Sequence, residues 1–449
     1  MITFNDLQSV ERKDSVLMDF VRRVITDHKS SNLYKTAAVA RDYDAQRNRT
    51  IVGYQKMLYT VTGKAVPDNF SANYKLASNF FHRFTTQQNQ FLLGNGVQWK
   101  NESTADALGG NFDTQLQKTG HSALVGGLSF GFWNLNHVDV FSVLEFAPLW
   151  DEENGSLRAG VRFWQISDKK PLRATLYEED GYTDYIWRDG KGSVLAEKRP
   201  YVVYVSETEA GDEVIYDSTN YPTFPIVPCW GNKQKQSEIV GIREQIDTYD
   251  LIKSGFANNV DEASMVYWTV QNAGGMDEVD LAKFVERMRT LHASVMDDDG
   301  ARAESHSIDV PVEARERLLD RLRSDLYDDY MALDVKQIAS GAATATQIRA
   351  AYEPMNSKAD DYEYCINEFV NGILKVAGID DEPTFTRSTM INTAEEIQTV
   401  LQAATHLPDD YVTQKILSIL GDGDRASELI AQMDADELDR FREEPIDTE

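Results

Sequence analysis

Apolar residues recur every three or four positions through the first quarter of the chain, which is the spacing of amphipathic helices. Val16, Phe20 and Val24 form one such series, and residues 1 to about 125 are predicted to be mainly helical. From 129 to 228 the pattern changes to short β-branched and aromatic runs separated by Asp, Gly, Asn and Pro, as in antiparallel sheet. The predicted strands in this β-rich unit are Phe141–Phe146, Arg158–Ile166, Tyr182–Trp187 and Tyr201–Ser206.

Two long helices are predicted beyond Trp230. The first spans residues 237–263 and, at about 1.5 Å per residue, would be roughly 40 Å long. Its apolar stripe consists of Ile239, Ile242, Ile246, Tyr249, Ile252, Phe256 and Val260. The second opens at Pro311, a residue suited to the first helical position. Its stripe consists of Leu318, Leu319, Leu322, Leu326 and Tyr330. A small αβ insert is predicted between the two helices, with a strand at Val266–Gln271, a helix near Asp277–His292 and a strand pair around Asp297–Gly300.

The last part of the chain is predicted to be helical after an aperiodic stretch at residues 332–343. A long helix begins at Thr344, which forms a capping box with Gln347, and ends near Ala377 with Gly378 as its stop. Pro354 lies inside this helix and should kink it, because proline removes one backbone hydrogen bond. Residues 393–449 are predicted to be helical and acidic, with a turn at Pro408. The fold class is therefore α+β.

The composition narrows the class of protein. The chain has 449 residues, 42% of them hydrophobic, which is enough for a large core. Its 45 Lys and Arg against 73 Asp and Glu give a net charge of −28, so its average surface should repel nucleic acid, which argues against a sequence-specific DNA reader. Cys229 and Cys365 provide no disulfide framework or Cys-based zinc site. No apolar run approaches the roughly 20 residues that cross a bilayer, so we expect a soluble protein without a membrane partner.

The sharpest catalytic pattern is Gly127-Leu-Ser129-Phe-Gly131, which fits the nucleophile elbow of α/β-hydrolases. That elbow needs a strand before the serine and a helix after it, whereas here a helix-like segment precedes Ser129 and a strand-like segment follows. A structural role is therefore favoured over a nucleophile assisted by His137 or His292. The seven histidines are scattered with no metal-binding spacing, and no nucleotide-binding loop is visible. We predict no catalytic, cofactor-binding or metal-binding residue.

Five segments resemble, in order, those of one protein family. The main one is Ser237–Ala263, SEIVGIREQIDTYDLIKSGFANNVDEA, which follows Phe224-Pro-Ile-Val-Pro228. Supporting segments are Phe91–Trp99 (FLLGNGVQW), Gly160–Trp164 (GVRFW), Ile308–Arg315 (IDVPVEAR) and Ser340–Gln347 (SGAATATQ). Together they cover residues 75 to 378, and they resemble portal proteins of the long-tailed bacteriophages of the siphovirus type.

The resemblance implies a portal fold with named parts. Residues 1–236 would be the wing, with its helical N-terminal part and its β-rich part at 129–228, and residues 344–392 would be the kinked helix that completes the wing. The stem helices would be 237–263 and 312–331, the clip 264–311, the tunnel loop 332–343 and the crown 393–449.

The resemblance also implies a function. The chain would be the head-to-tail connector subunit of the virion, forming a dodecameric ring at the capsid vertex. Double-stranded DNA would pass through the ring without sequence specificity during packaging and ejection. The implied partners are the terminase large subunit, the head-completion or tail adaptor protein, the scaffold and the major capsid protein, with assembly in the host cytoplasm. A different viral ring or adaptor protein remains an alternative, as does the serine hydrolase.

Two sets of residues are predicted to carry this function. The tunnel loop would line the DNA channel with Val335, Lys336, Gln337, Ile338, Ser340 and Gly341, where Lys336 would touch phosphates and Ser340 and Gly341 would permit movement. The alternative is an ordinary helix connector. The clip would dock partners through Tyr267, Trp268, Phe284 and Met288. Equally, these four residues would form the clip's own small core.

Overall fold

In a computed structural model the chain folds into helices and antiparallel sheets, which confirms the predicted α+β class. The structure describes residues 1–59, 62–69, 71–207, 213–263, 267–271, 277, 279–280, 282–284, 286, 302–306, 311–336, 345–388, 393–420 and 430.

The N-terminal part is mainly helical, as predicted. Its helices are α1 (Phe4–Ser9), α2 (Asp14–Ser30), α3 (Asn32–Asp44), α4 (Arg49–Gly53), α5 (Phe80–Leu93), α6 (Glu102–Leu108) and α7 (Phe112–Gly126). Between them lie three short strands, β1 (Met57–Tyr59), β2 (Ala65–Pro67) and β3 (Val97–Gln98). Helix α7 ends at Gly127, whose φ of +83° is a left-handed conformation that glycine adopts without steric cost.

The β-rich unit contains two main sheets. Strands β4 (Leu128–Asn134), β5 (His137–Ser142) and β13 (Ile226–Trp230) form a three-stranded sheet in the order β13-β4-β5. A five-stranded antiparallel meander consists of β6 (Phe146–Trp150), β7 (Leu157–Trp164), β8 (Leu172–Glu178), β9 (Gly181–Arg188) and β10 (Lys191–Arg199). Strands β11 (Val202–Glu207) and β12 (Glu213–Thr219) form a separate hairpin.

The single strand predicted at Phe141–Phe146 is wrong. Strand β5 ends at Ser142 and β6 begins at Phe146, so the two strands belong to different sheets. Glu145 stabilises the intervening turn by accepting a hydrogen bond from the Ser142 N–H at 2.9 Å. The turn residue Val143 is itself buried, and for that reason the apolar run continues through the turn.

Aromatic and aliphatic side chains fill the space between these layers. Phe130, Phe141 and Phe146 pack between the two main sheets, with ring centroids of Phe130 and Phe146 4.5 Å apart. On its other side, the five-stranded sheet is covered by α2, whose Phe20 and Val24 are buried.

The second half is built on three long helices: α8 (Arg243–Ala263), α9 (Val312–Tyr330) and α10 (Ala345–Ala377). The predicted start of the first helix at residue 237 is wrong. Gly241 has a φ of +98°, which a right-handed helix does not allow, so the helix begins at Arg243 and is about 32 Å long. Helix α9 lies within one residue of its predicted bounds, although Pro311 precedes it as the N-cap residue.

Helix α10 packs against the three-stranded sheet and against α5 and α7. Its buried residues in this core include Tyr362, Ile366, Phe369, Val370, Ile373 and Leu374. The packing is close, since a Cβ added to Gly131 of β4 would lie 2.5 Å from the Phe369 ring. The helix contains Pro354 and ends before Gly378, whose φ is +71°, as predicted. The proposed capping residue Thr344 lies outside the described residues.

The remaining elements are short. Strands β14 (Tyr267–Gln271) and β15 (Arg302–His306) pair with each other, and β16 (Thr384–Phe385) pairs with β3. Helices α11 (Thr393–Ala403) and α12 (Asp409–Leu420) flank Pro408, where a turn was predicted, with a 3-10 turn at Ala404–His406. Within the described part of the chain, no helix combines the length and apolar character that a membrane crossing requires.

Candidate functional site

Helices α8 and α9 run antiparallel to each other. Gln245, near the start of α8, donates a hydrogen bond to Asp329, near the end of α9. Arg315, near the start of α9, lies 5.8 Å from the ring centroid of Phe256, near the end of α8. The pair forms a helical hairpin, and the insert between the two helices contains β14 and β15.

The apolar stripes of these two helices are buried only where the hairpin meets the rest of the chain. There, Ile246 of α8 and Leu326, Tyr327 and Tyr330 of α9 join one core with Phe81 and Phe84 of α5. Further along the hairpin the same stripes come to the surface, with Val260 50% exposed and Leu318 45% exposed. A single chain therefore leaves part of this apolar face uncovered.

A polar face of α8 is buried as well. Asp250, Ser254 and Asn258 lie four residues apart and accept hydrogen bonds from the backbone N–H groups of Ser78, Leu76 and Tyr74, at 2.9, 3.0 and 2.6 Å. Two residues of extended chain advance about 6.6 Å and four residues of helix about 6.0 Å, so the two repeats match. We call this set of three hydrogen bonds the ladder, and the residues 74–78 that donate it the strap.

Asp250 is the most buried member of the ladder. Its second carboxylate oxygen accepts a hydrogen bond from the Asn48 side chain at 2.8 Å. Burial raises the pKa of Asp250 above its ordinary value, although the hydrogen bonds from Asn48 and Ser78 act in the opposite direction. The strap and helix α4, which Asn48 caps, are therefore both tied to one carboxylate on α8.

A buried ion pair joins the base of the hairpin to α10. The Lys358 ammonium lies 2.6 Å from Glu238, with only 18% and 10% of the two side chains exposed. Glu238 also accepts a hydrogen bond from Asn232 at 2.9 Å. The ammonium lies 3.7 Å from the ring centroid of Tyr330, the last residue of α9. Lys358 thus contacts the chain on both sides of the hairpin.

The segment that leaves α9 is anchored by an ion pair. Asp334 is buried and accepts hydrogen bonds from Arg323 at 2.7 Å and from the Lys336 N–H at 3.1 Å. Burial acts to raise the pKa of Asp334, but Arg323 and the Lys336 N–H outweigh it, so the pKa is lowered. Val335 packs beside the Tyr352 cluster, whereas the Lys336 side chain is exposed.

Comparisons with known proteins identify the family of this chain. The sequence profile of the family described as "Phage portal protein, SPP1 Gp6-like" matches residues 26–444. The portal protein of Bacillus phage SPP1 is 20% identical over 427 residues, which cover 86% of this chain and 80% of that protein. The chain belongs to the phage portal protein family. The resemblance seen in the sequence is confirmed.

Other relatives of this portal protein match over shorter stretches or at lower similarity. The portal protein of Clostridium phage phiCD119 is 23% identical over 201 residues, 43% of this chain and 45% of that protein, so the match spans less than half of that relative. Among solved structures, the neck of an empty gene transfer agent particle computed with C6 symmetry has a TM-score of 0.45 at 12% identity, covering 76% of this chain and 90% of the other. The neck of the native particle computed with C12 symmetry has a TM-score of 0.42 at 12% identity, and the match covers 75% of this chain and 89% of the other.

Only part of the predicted tunnel loop of this portal protein is described. Val335 and Lys336 have helical backbone and lie directly after the Asp334 anchor. Gln337, Ile338, Ser340 and Gly341 lie outside the described residues. The anchor at Asp334 was missed by sequence reasoning, because its partner Arg323 is one of four arginines of α9, Arg315, Arg317, Arg321 and Arg323, that are interspersed with acidic residues of the same helix. Two of these, Arg317 and Arg321, do form ion pairs within α9, with Glu313 and Asp325.

The predicted clip residues are described unevenly. Tyr267 and Trp268 lie in β14, but their side chains are outside the described set, as is the whole of Met288. Phe284 is helical and only 4% exposed. Its burial is what the small-core alternative predicts, while a docking role for the four residues stays a prediction.

Ser129 has a structural role. It is fully buried in β4, and its hydroxyl donates a hydrogen bond to the Thr119 carbonyl at 2.7 Å. Helix α7 precedes it and the strand continues after it, so the strand-turn-helix geometry of a nucleophile elbow is lacking. The comparisons give the hydrolase alternative no support.

Three side chains that sequence reasoning kept apart lie together in the structure. Asp44, His82 and His121 bring carboxylate and imidazole atoms within 4.8 Å of one another. His82 is 38 residues from Asp44, and His121 is 77. No short motif signals a cluster assembled at such separations.

Proposed function

We propose that this portal protein forms a ring whose central channel conducts double-stranded DNA into the capsid during packaging and out of it during ejection. The observation that carries the proposal is the family match over residues 26–444. The chain would act as a conduit without catalysis of its own, and ATP hydrolysis would belong to the terminase motor.

The parts of the ring follow from the order of elements. Helices α8 and α9 would be the stem, with the first stem helix starting at Arg243, and the insert at 264–311 would be the clip. Residues 332–343 would be the tunnel loop, residues 1–236 and 344–392 the wing, and residues 393–449 the crown. We propose that the clip docks the terminase large subunit and later the head-completion or tail adaptor protein. The wing and crown would face the scaffold and major capsid protein.

Charge supports passage of DNA past the stem. Helices α8 and α9 contain six Lys and Arg against eleven Asp and Glu, a net charge of −5. A strongly basic wall would hold phosphates through counterion release, whereas an acidic wall favours sliding. The exposed apolar side chains of Val260 on α8 and Leu318 on α9 support lateral packing of stems, which would remove them from water. Twelve copies at the capsid vertex of the virion is the number that the family resemblance implies, with assembly in the host cytoplasm.

Electron microscopy with two-dimensional class averaging, together with the mass in solution, tests the ring. We expect open rings of about a dozen subunits for the parent chain. Leu318→Asp places a charge on the uncovered face and should shift the mass toward the 50.8 kDa monomer. Ile166→Asp, the same kind of change at an exposed position away from the stem, should leave rings intact. A parent chain that is monomeric at all concentrations, or rings unaffected by Leu318→Asp, would contradict the proposed packing.

The channel role of the tunnel loop has its own test. Lys336→Glu should reduce packaged DNA or its retention while ring assembly is unchanged, because it places a negative charge where the exposed Lys336 would meet phosphates. Lys191→Glu, at the exposed first residue of β10, serves as the charge-matched control. Normal packaging by Lys336→Glu particles would remove Lys336 from the mechanism.

A further inference from the structure

Asp44, His82 and His121 each come from a different helix. Asp44 is the last residue of α3, His82 lies in the first turn of α5, and His121 lies in the second half of α7. The His82 Nδ1 is 2.9 Å from Asp44 Oδ1, and the His121 Nε2 is 3.3 Å from Asp44. The two imidazole rings meet edge to face with centroids 5.8 Å apart.

These distances are close to those of a tetrahedral metal site. With bonds of about 2.0–2.1 Å to nitrogen and oxygen, neighbouring ligand atoms around zinc are roughly 3.4 Å apart. The two carboxylate-to-imidazole distances lie within about half an ångström of that value, and all three ligand atoms lie within 4.8 Å. A rotation of one imidazole ring would open the space for an ion between them.

Charge and access also suit a divalent cation. An aspartate carboxylate, with an ordinary pKa of about 3.9, is ionised near neutral pH and can offer a negatively charged oxygen to the ion. The three side chains remain partly exposed, from 23% for Asp44 to 45% for His82. An ion can therefore enter from solvent and keep a water as its fourth ligand.

We propose that Asp44, His82 and His121 form a zinc site with two imidazole ligands, one carboxylate ligand and one open position for water. Two imidazoles and a carboxylate are a donor set that zinc binds well, whereas magnesium and calcium prefer oxygen ligands. This assignment depends only on the described helices and not on the ring or the DNA channel.

Bound zinc would stabilise the support of the stem. The same three helices contribute Tyr43, Phe81, Phe84 and Val125 to the core that holds Ile246. An ion that ties α3, α5 and α7 together would resist their separation around that core. Binding to the folded chain alone raises its thermal stability by mass action.

The test uses the full chain without an affinity tag, treated with a chelator and dialysed into metal-free buffer. Zinc titration by calorimetry should give one site per chain, and zinc but not magnesium should raise the melting temperature. Cobalt, added as a spectroscopic substitute, should give the visible absorption of a tetrahedral site. His82→Gln and His121→Gln should each weaken zinc binding more than about tenfold, because each removes a direct ligand. His137→Gln, at an exposed histidine of β5 outside the cluster, should bind as the parent does.

Two results would overturn the assignment. One is a parent chain that shows neither a zinc-dependent rise in melting temperature nor tetrahedral cobalt absorption, and this result needs no variant to fold. The other is zinc binding by His82→Gln and His121→Gln that equals the parent's, which would place the ion elsewhere. Melting curves in chelator establish that each variant is folded before its binding is compared.

Discussion

The ladder between the strap and α8 allows a sharp test of what holds this helix in place. The perturbation is Ser254→Ala, which removes the hydroxyl that accepts the Leu76 N–H at 3.0 Å. The neighbouring contacts of Asp250 and Asn258 remain, so the strap keeps two of its three attachments. The change removes one hydrogen bond, and alanine retains the Cβ atom of the serine.

The magnitude follows from two opposing effects. Loss of the hydrogen bond costs about 1–2 kcal/mol, since the half-buried Leu76 N–H is left without its acceptor but water compensates in part. Alanine is the better helix former, which offsets up to roughly 0.5 kcal/mol of that cost. The net loss is about 1 kcal/mol, which corresponds to a roughly fivefold increase in the population of the open strap.

Hydrogen exchange measured by mass spectrometry is the suitable assay, because it reports local opening of a single segment in a large chain. Peptides that cover residues 74–78 should exchange roughly fivefold faster in Ser254→Ala, while peptides from the five-stranded sheet should not change. Thr248→Ala is the matched control on the same helix. Its exposed hydroxyl donates to the Glu244 carbonyl of α8 itself, so its removal should leave strap exchange unaltered.

The reasoning would be refuted by strap exchange that is the same in Ser254→Ala and in the parent. Equal acceleration by Thr248→Ala would refute it too, since that result would assign the effect to the helix and not to the ladder. Global acceleration across the chain would mean that the substitution had disturbed the fold.

Three further predictions concern the buried charges around α8 and α9. Lys358→Met should lower the free energy of unfolding by about 3 kcal/mol, because Glu238 stays buried without its cation, and adding Glu238→Gln should recover part of the loss in denaturant unfolding. Asp334→Ala should accelerate hydrogen exchange at residues 332–336. In the parent, the pKa of Asp334 is lowered by folding, so the protection of these residues from exchange should be lost as pH falls below 3.8, the ordinary pKa of the carboxyl group. The pKa of Asp250 is raised in the folded chain, so the contribution of this carboxyl group to stability declines as pH rises above its ordinary pKa of 3.8. Asp250→Asn should therefore be less stable than the parent by a larger margin near pH 4 than at pH 7. Unfolding midpoints measured at the two pH values check this.

Local patterns in the sequence were sufficient for most helices and strands of the second half. Helix α9 and the C-terminal end of α10 at Gly378 follow from apolar spacing and stop signals. The start of α8 did not follow from apolar spacing, because Ile239 and Ile242 precede the helix and yet are buried in the core like helical residues. Burial sets the apolar pattern, whereas the left-handed Gly241 sets the boundary.

The polar contacts around α8 and α9 were harder to predict. The spacing of Asp250, Ser254 and Asn258 is a signal that a search for polar residues four apart would detect. Their partners are backbone N–H groups 172 to 184 residues away, and backbone donors have no sequence signature. The ion pair of Lys358 and Glu238 joins residues 120 apart, which only the tertiary fold brings together.

Helices α8 and α9 are held by two kinds of contact that differ in their contribution to the free energy of folding. The apolar core at its base includes Ile246, Leu326, Tyr327 and Tyr330, and exposing each such side chain costs about 1.5–3 kcal/mol. Each ladder hydrogen bond contributes only about 0.5–1.5 kcal/mol, because water replaces the lost partner. We therefore expect the strap to open at a lower free-energy cost than the apolar core.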